Sequence, residues 1–270
     1  MPFTFAGVGL HTGTPSRIRC LPAGMGEGIL FSRTDRPSAA PVRAVLETVS
    51  DATRAITLGG AAPIRTVEHL LAAAAILGVT DLRVEVEGEE LPALDGSARP
   101  IAEAMRAAGF RDFGGAQTPL RLSEPAFVWD GAASVLALPA QGLRLTYIVP
   151  LRSEVLGTQI VDVRGSGFEG LLDARTWGYV DEVPAMHAAG HARGARAENA
   201  LGLTRDGYLS PPRGRDEPAR HKALDLLGDL SLLGRPLEAH VIAIAAGHRL
   251  HLAMVRRMLD LDAREPRNGT

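Results

Sequence analysis

The sequence has a single cysteine, Cys20, which rules out an internal disulfide and any Cys-rich zinc site and fits a reducing compartment. Aromatic side chains make up only 4% of it, too few for the stacking platforms that hold single-stranded nucleic acid. Neither charge dominates: 29 basic residues against 31 acidic ones, mixed along the chain, leave no electrostatic footprint for nucleic acid. The longest uncharged apolar run, Leu70 to Thr80, falls far short of the ~20 residues of a membrane span. Met1 to Gly9 lacks a basic region followed by a long apolar segment, so no signal peptide is expected and a cytoplasmic location is.

What is present is ample apolar material. The 270 residues are 46% hydrophobic with a net charge of -2, a soluble globular chain long enough for one large domain or two ordinary ones. Gly7-Val8-Gly9-Leu10-His11-Thr12-Gly13 hints at a dinucleotide fingerprint, but its third glycine is misplaced and a strand-like stretch, Ser16 to Leu21, follows. Alternation predicts further strands at Val42 to Leu46, Ala55 to Leu58 and Leu82 to Val86. Thr66 reads as the N-cap of an apolar helix over Val67 to Leu77, stopped by Gly78. Pro100 opens a second helix that ends at Gly109. Phe113 to Pro119, rich in glycine and closed by proline, is the boundary candidate, dividing residues 1–114 from 115–270. Beyond it strands are read at 120–122, 134–138, 143–149, 159–163 and 241–245, with helices from Pro218 and over Leu250 to Leu261. Pro184 to Arg215, rich in Ala, Gly, Arg and Pro, gives no clear element, and part of it reads as a mobile loop. The order of elements predicts two similar α+β halves without a sequence repeat.

One stretch carries chemistry on its own spacing. In a helix over Arg220 to Leu230, His221, Asp225 and Asp229 recur every four residues and form one row, flanked by leucines. Such a face enters a core, where an unpaired carboxylate is costly, so the row calls for a cation. An imidazole and a carboxylate one turn apart suit zinc, although for such a pair taken alone a solvated polar face is the commoner meaning. No zincin motif is present, because Val67 and Arg65 stand where one needs histidines. The third protein ligand must come from another helix, and His69 is the candidate, with Glu68 beside it to take a proton from water. The bland alternatives are a satisfied core histidine and a helix-start acid favoured by the dipole.

Six ordered blocks extend this reading over nearly the whole chain. They are Gly7 to Gly13, Thr66-Val67-Glu68-His69-Leu70, Asp95-Gly96-Ser97-Ala98, Ala174-Arg175-Thr176-Trp177-Gly178, Arg220 to Leu230 and Gly247-His248. With these the sequence resembles the UDP-3-O-acyl-N-acetylglucosamine deacetylase family of lipid A biosynthesis. The resemblance implies a zinc amidohydrolase with helices packed between two mainly antiparallel sheets, and one Zn²⁺ per chain, a site Fe²⁺ can also occupy. It implies His69, His221 and Asp225 as ligands, Glu68 as general base, His248 as general acid held by Asp229, and Thr176 polarising the amide oxygen. Lys222 and Trp177 would contact the nucleotide-sugar glycolipid; His11 would line the pocket or serve the turn. The sequence does not set an oligomeric state, and a monomer suffices. Pro184 to Arg215 stands where the family builds an acyl-chain passage, yet it holds only scattered large apolar residues. A metalloamidase for a less lipophilic UDP-N-acetylhexosamine, or a non-catalytic binder on the same fold, are the alternative functions.

Overall fold

Alternating apolar and charged side chains shape the first sheet. Strands β1 (Phe3–Val8), β2 (Pro15–Pro22), β3 (Ile29–Arg33) and β4 (Val42–Arg43) come first. A small separate sheet follows, made of β5 (Val49–Asp51), β6 (Thr57–Leu58) and β7 (Ile64–Arg65). Next are helix α1 (Glu68–Ile76), strand β8 (Leu82–Glu87) and helix α2 (Arg99–Ala108). β8 inserts between β2 and β3, antiparallel to the first and parallel to the second, giving the order β1-β2-β8-β3-β4. A parallel pair needs a long crossover, which the segment through α1 supplies. Val84 of β8 pairs with both Cys20 and Phe31, and all three are fully buried. Burying a side chain such as Val84 or Phe31 contributes roughly 1.5–3 kcal/mol each. The computed structural model describes residues 1–115 and 117–264. Ala116, within the expected boundary stretch, and residues 265–270 of the expected second half lie outside the described residues.

The second sheet repeats the plan. It comprises β9 (Leu120–Arg121), β10 (Ala126–Asp130), β11 (Ala133–Pro139), β12 (Leu143–Pro150), β13 (Thr158–Arg164) and, much later, β17 (Leu237–Ile244). Between them run β14 (Trp177–Tyr179), α3 (Val183–Ala188), β15 (Leu201–Thr204), β16 (Gly207–Tyr208) and α4 (Glu217–Leu230); α5 (His248–Arg264) follows β17. The order β10-β11-β17-β12-β13, with β17 antiparallel to β11 and parallel to β12, matches the first sheet strand for strand. The fold is therefore α+β with two similar halves, although no repeat is visible in the residues. On β12, Leu145, Tyr147 and Val149 point inwards. Small Ala243 is paired with Tyr147, leaving room for the ring on the helix side.

Helices α1 and α4 pack on each other between the sheets. α1 is apolar nearly all round and buried on most sides, as expected of a helix enclosed by core. Its Ala72, Ala73 and Ala74 are fully buried and small enough to let a neighbour approach. The neighbour uses Gly228: a Cβ there would lie 2.2 Å from the Glu68 carbonyl oxygen. Gly228→Ala must push the two helices apart, at a cost of about 1–3 kcal/mol. Because Glu68 moves with its carbonyl, thermal melts and turnover should both fall, whereas a change in stability alone would show that the helices can shift without disturbing Glu68.

The structure departs from the sequence reading at several points. Thr66 is not the N-cap of α1; it sits at φ 59° and its hydroxyl donates to Glu90 Oε1 at 2.8 Å, leaving Val67 as the cap. The strand read over Val42 to Leu46 is only β4, since Leu46–Thr48 turns as a 3₁₀ helix. The strand read over Ala55 to Leu58 is shortened to β6. β10 and β14, which were not expected, complete sheets whose edges face solvent, where the apolar alternation fades. Pro184 to Arg215, in which no clear element is legible from the sequence, contains most of α3 together with β15 and β16; Leu201 and Leu203 anchor β15 in the core.

Candidate metal centre

α4 positions four ionisable groups because twelve of its fourteen residues are buried, so its polar side chains have to find partners inside the protein. His221 Nε2 lies 3.4 Å from Asp225 Oδ1 across one helical turn. The first turn of α1 brings His69, whose Nε2 lies 3.5 Å from the same oxygen. All three donor atoms fall within 4.8 Å of one another. A tetrahedral zinc with bonds of about 2.0–2.1 Å spaces its ligand atoms about 3.3–3.5 Å apart, so this donor set fits the ion in type and in spacing. The imidazole edges meet at 83° with centroids 5.1 Å apart. His221 Nδ1 faces the Ala174 carbonyl at 3.4 Å, which assigns the proton to Nδ1 and leaves Nε2 free to ligate.

Electrostatics favour ligation by His221 and Asp225. Burial pushes the His221 pKa down to about 3, so its ring is neutral. Burial would raise the Asp225 carboxyl, but His221, Lys222, His69 and His248 around it hold it well below the usual range. Lys222 donates from Nζ to Asp225 Oδ2 at 2.8 Å, not on the oxygen that faces His69 and His221. An ammonium has three donors, so two of them remain for another partner.

Two further groups border the same space. Glu68 is buried, and this raises its pKa above the ordinary carboxyl value. The Ile56 N–H donates to its Oε2 at 3.1 Å, leaving Oε1 turned to His248 Nε2 at 3.9 Å. His248 opens α5, and its Nδ1 lies 2.7 Å from Asp229 Oδ2. Burial disfavours the charged ring, yet the charge and hydrogen bond of Asp229 outweigh it and bring the pKa up to about 9. His248 Nε2 lies 4.0 Å from Asp225 Oδ2, so the base, the cation and the donor set share one chamber.

Backbone contacts set the far wall. The Thr176 N–H donates to Gly96 O at 2.9 Å, and Leu201 N–H donates to Thr176 O at 2.8 Å. Gly96, at φ 82°, is needed there because a Cβ would fall 1.8 Å from the Asn199 carbonyl oxygen. Arg175 is fixed beside Thr176 by a buried ion pair with Glu217 at 2.9 Å. Thr176 and His69 line a narrow cavity of about 20 Å³, together with Leu10, Leu91, Ser97 and Ile101. A much larger apolar cavity of about 630 Å³ lies at the other ends of α1 and α4, near Ile76 and Leu230, and includes none of the donors. Chemistry, not size, locates the site. Trp177 donates from Nε1 to Pro218 O at 3.1 Å and meets Tyr179 edge-on.

His11 is placed differently from the rest. Its backbone N–H donates to Glu90 Oε1 at 2.9 Å, its Nδ1 accepts from Ala192 N–H at 3.4 Å, and Leu10 rather than His11 lines the narrow cavity. Burial brings its pKa down to about 4. Glu90, absent from the sequence reading, is fully buried and also accepts from Thr12 and Thr66, so the Gly7 to Gly13 block wraps around it. In that block Gly9 is close to the second half: a Cβ on Gly194 would lie 2.0 Å from Gly9 O. His251 and Tyr147 were also missed. His251 Nδ1 lies 2.7 Å from Asp229 Oδ2 and its Nε2 lies 2.9 Å from the Tyr147 hydroxyl. The i, i+3 spacing of His248 and His251 was the available signal.

Comparison with known proteins gives a consistent answer. Residues 1–260 match the family described as "LpxC: UDP-3-O-acyl N-acetylglycosamine deacetylase". A protein of Thermosynechococcus vestitus named UDP-3-O-acyl-N-acetylglucosamine deacetylase is 38% identical over 255 residues, 93% of this chain and 90% of its own length. One of the same name from Solibacter usitatus is 39% identical over 267 residues, covering 96% of this chain and 89% of its own. Another, from Leptospira biflexa, is 36% identical and covers 94% and 86%.

Proposed function

Because the chain belongs to the UDP-3-O-acyl N-acetylglycosamine deacetylase family, we propose that it hydrolyses the N-acetyl group of UDP-3-O-acyl-N-acetylglucosamine, releasing acetate and the free amine for lipid A biosynthesis. The observation that carries this is the convergence of two imidazoles and a carboxylate suited to Zn²⁺ with a base, Glu68, and a cation, His248, only 3.9 Å apart. His69, His221 and Asp225 would hold the ion; when bound, it supplies a Lewis acid for the amide carbonyl and a more acidic water.

The protein's own groups divide the proton work. Glu68 Oε1 takes a proton from the attacking water, with Oε2 kept in place by Ile56 N–H. His248 gives its Nε2 proton to the amide nitrogen as the C–N bond breaks, which makes the amine a leaving group. The Thr176 hydroxyl, which has no hydrogen bond among the described residues, donates to the carbonyl oxygen as negative charge develops there. Lys222, with two N–H groups unspent, binds the hexose or a phosphate, and Trp177 packs against the nucleotide-sugar. His11 acts through the turn around Glu90. We divide the chain at 114/115, so that Glu68 and His69 come from one half and His221, Asp225 and His248 from the other. One chain provides every residue of the site, so a monomer suffices. None of the described helices is long and apolar enough to cross a membrane, and we place the reaction in the cytoplasm, where its nucleotide-sugar is made.

The test is turnover of 3-O-acylated and unacylated UDP-N-acetylglucosamine side by side, with the metal content measured. Preference for the acylated substrate at about one metal ion per chain is expected. Metal-replete protein that leaves both untouched would overturn the proposal, and equal use of both would favour a less lipophilic substrate.

A pH profile follows from the two shifted groups. Activity needs Glu68 ionised and His248 protonated, so it should rise as Glu68 loses its proton and fall as His248 does, towards pH 9. A bound divalent cation lowers both values and moves both limbs to lower pH together. Asp229→Asn removes the charge that favours protonated His248, so the alkaline limb should move down by about 1–3 pH units, and the acid limb, on which Asp229 acts more weakly, should follow it down by less. An unmoved alkaline limb would show that another group sets it.

A further inference from the structure

His251 lies outside the donor set and outside the acid–base pair, yet it is fully buried against the same carboxylate as His248. Both rings sit on the first turn of α5, and both Nδ1 atoms lie 2.7 Å from one oxygen, Asp229 Oδ2. An ionised carboxylate only accepts, so both Nδ1 atoms are donors. The other oxygen of Asp229, Oδ1, has no hydrogen-bond partner among the described residues. Without His251, therefore, Asp229 would be a buried carboxylate held by a single bond and free to turn about its Cβ–Cγ axis. The far side of His251 is tied as well. Its Nε2 meets the Tyr147 hydroxyl at 2.9 Å, and Tyr147 donates to the Ala246 carbonyl at 2.6 Å. Ala246 lies two residues before His248, so the contacts form a closed loop: His248, Asp229, His251, Tyr147 and back to the segment that leads into α5. α4, α5 and β12 each contribute one side of it. Of this loop, only His248 Nε2 faces the space where substrate would react.

We propose that His251 is a positioning residue for the deacetylation: braced by Tyr147, its Nδ1–H fixes the angle of the Asp229 carboxylate, and through Asp229 it aims His248 Nε2 at the leaving nitrogen. This rests on the reading of His248 as the general acid. A side chain that only filled volume would serve packing equally well. A positioning residue has to donate a hydrogen bond to Oδ2, and an asparagine amide can do that at similar reach whereas leucine cannot.

The test measures kcat, KM, melting temperature and metal content for His251→Leu, His251→Asn, Tyr147→Phe, His248→Gln and the His248→Gln/His251→Leu pair. His251→Leu should lower kcat about 10–100-fold, the range for supporting residues one step from a reacting group, with KM within about twofold. His251→Asn should recover most of that loss, and Tyr147→Phe, the gentlest change, should lower kcat by a smaller factor. In the His248→Gln background, adding His251→Leu should change kcat less than about twofold, because the effect passes through a group already removed. If His251→Leu is folded and retains parental kcat, if Asn is as impaired as Leu, or if the loss is the same in both backgrounds, His251 is structural and the inference fails. Should the Leu variant not fold, Asn and Tyr147→Phe decide the matter: equal kcat to parent in Tyr147→Phe together with a large loss in Asn refutes the positioning role. His248→Gln at parental kcat would overturn the reading of the acid itself, and this inference with it; a slow His248→Gln beside an unaffected His251→Leu refutes the inference alone.

Discussion

His221→Ala is expected to yield a folded protein that binds no metal ion and has lost its deacetylase activity in the same step. The ring is buried and neutral, its pKa pushed down to about 3, and its one other hydrogen bond is the 3.4 Å contact with the Ala174 carbonyl. Little of the fold depends on it. Its removal leaves His69 and Asp225, two donors from two different helices, where three are needed to leave one coordination position open. Metal content should drop from about one ion per chain to a small fraction of that, and kcat by more than the ~10²–10⁴ that a single acid–base group contributes. Added metal should raise the melting temperature of the parent, since a ligand that binds only the native state stabilises it, and leave that of the variant unchanged. A variant that keeps its metal at full stoichiometry would move the centre elsewhere; the second cluster of donors among the described residues, Asp229, His248 and His251, is where to look then.

Glu68→Gln should have the opposite signature: metal content intact, KM within about twofold, kcat down by about 10²–10⁴. The amide keeps an oxygen to accept the Ile56 N–H, so the side chain stays where the carboxylate was. It cannot take a proton from water. Because the site loses a buried carboxylate whose ionisation is disfavoured by burial, the variant should be no less stable than the parent. A non-catalytic binder would lose nothing measurable, and retention of more than about a tenth of kcat would remove Glu68 from the role of base.

The row on α4 was legible because it lies within one helix. His221, Asp225 and Asp229 stand four apart, and leucines beside them signal burial, so the spacing alone places a charged row inside a core. What no local pattern could show is which residue comes from across the molecule. His69 was a candidate for the third ligand, with a satisfied core histidine as the alternative, until the family blocks joined it to the row. Only the packing of α1 on α4 at Gly228 brings it within 3.5 Å of Asp225. β2 and β8 were legible for a similar local reason, their burial alternating along the strand. β10, with one buried residue in five, and β14, with none, lacked that signal. Thr66 was misread because its hydroxyl is drawn away from the helix by Glu90, a tertiary competitor that propensity does not contain. Lys222, expected to turn towards substrate, places one of its donors on Asp225 and keeps two for that role.

Three places where main chain of one half presses on main chain of the other bear on how the enzyme works through a cycle. Gly228 rests on Glu68, Gly96 on Asn199 and Gly194 on Gly9, each too close for a side chain to intervene. Such seams have no rotamer to yield, so they resist both sliding and tilting. The reaction chamber therefore keeps its dimensions from one turnover to the next, as a vice does rather than a jaw. Gly194 and Asn199 also tie the segment between α3 and β16 to the first half. Admission of a bulky amphiphile and departure of its product fall to the rim, where the side chains of Trp177 and Lys222 can move without unlocking the seams. Substitutions there should change how fast molecules come and go, and substitutions at the seams should change whether the chemistry is assembled at all.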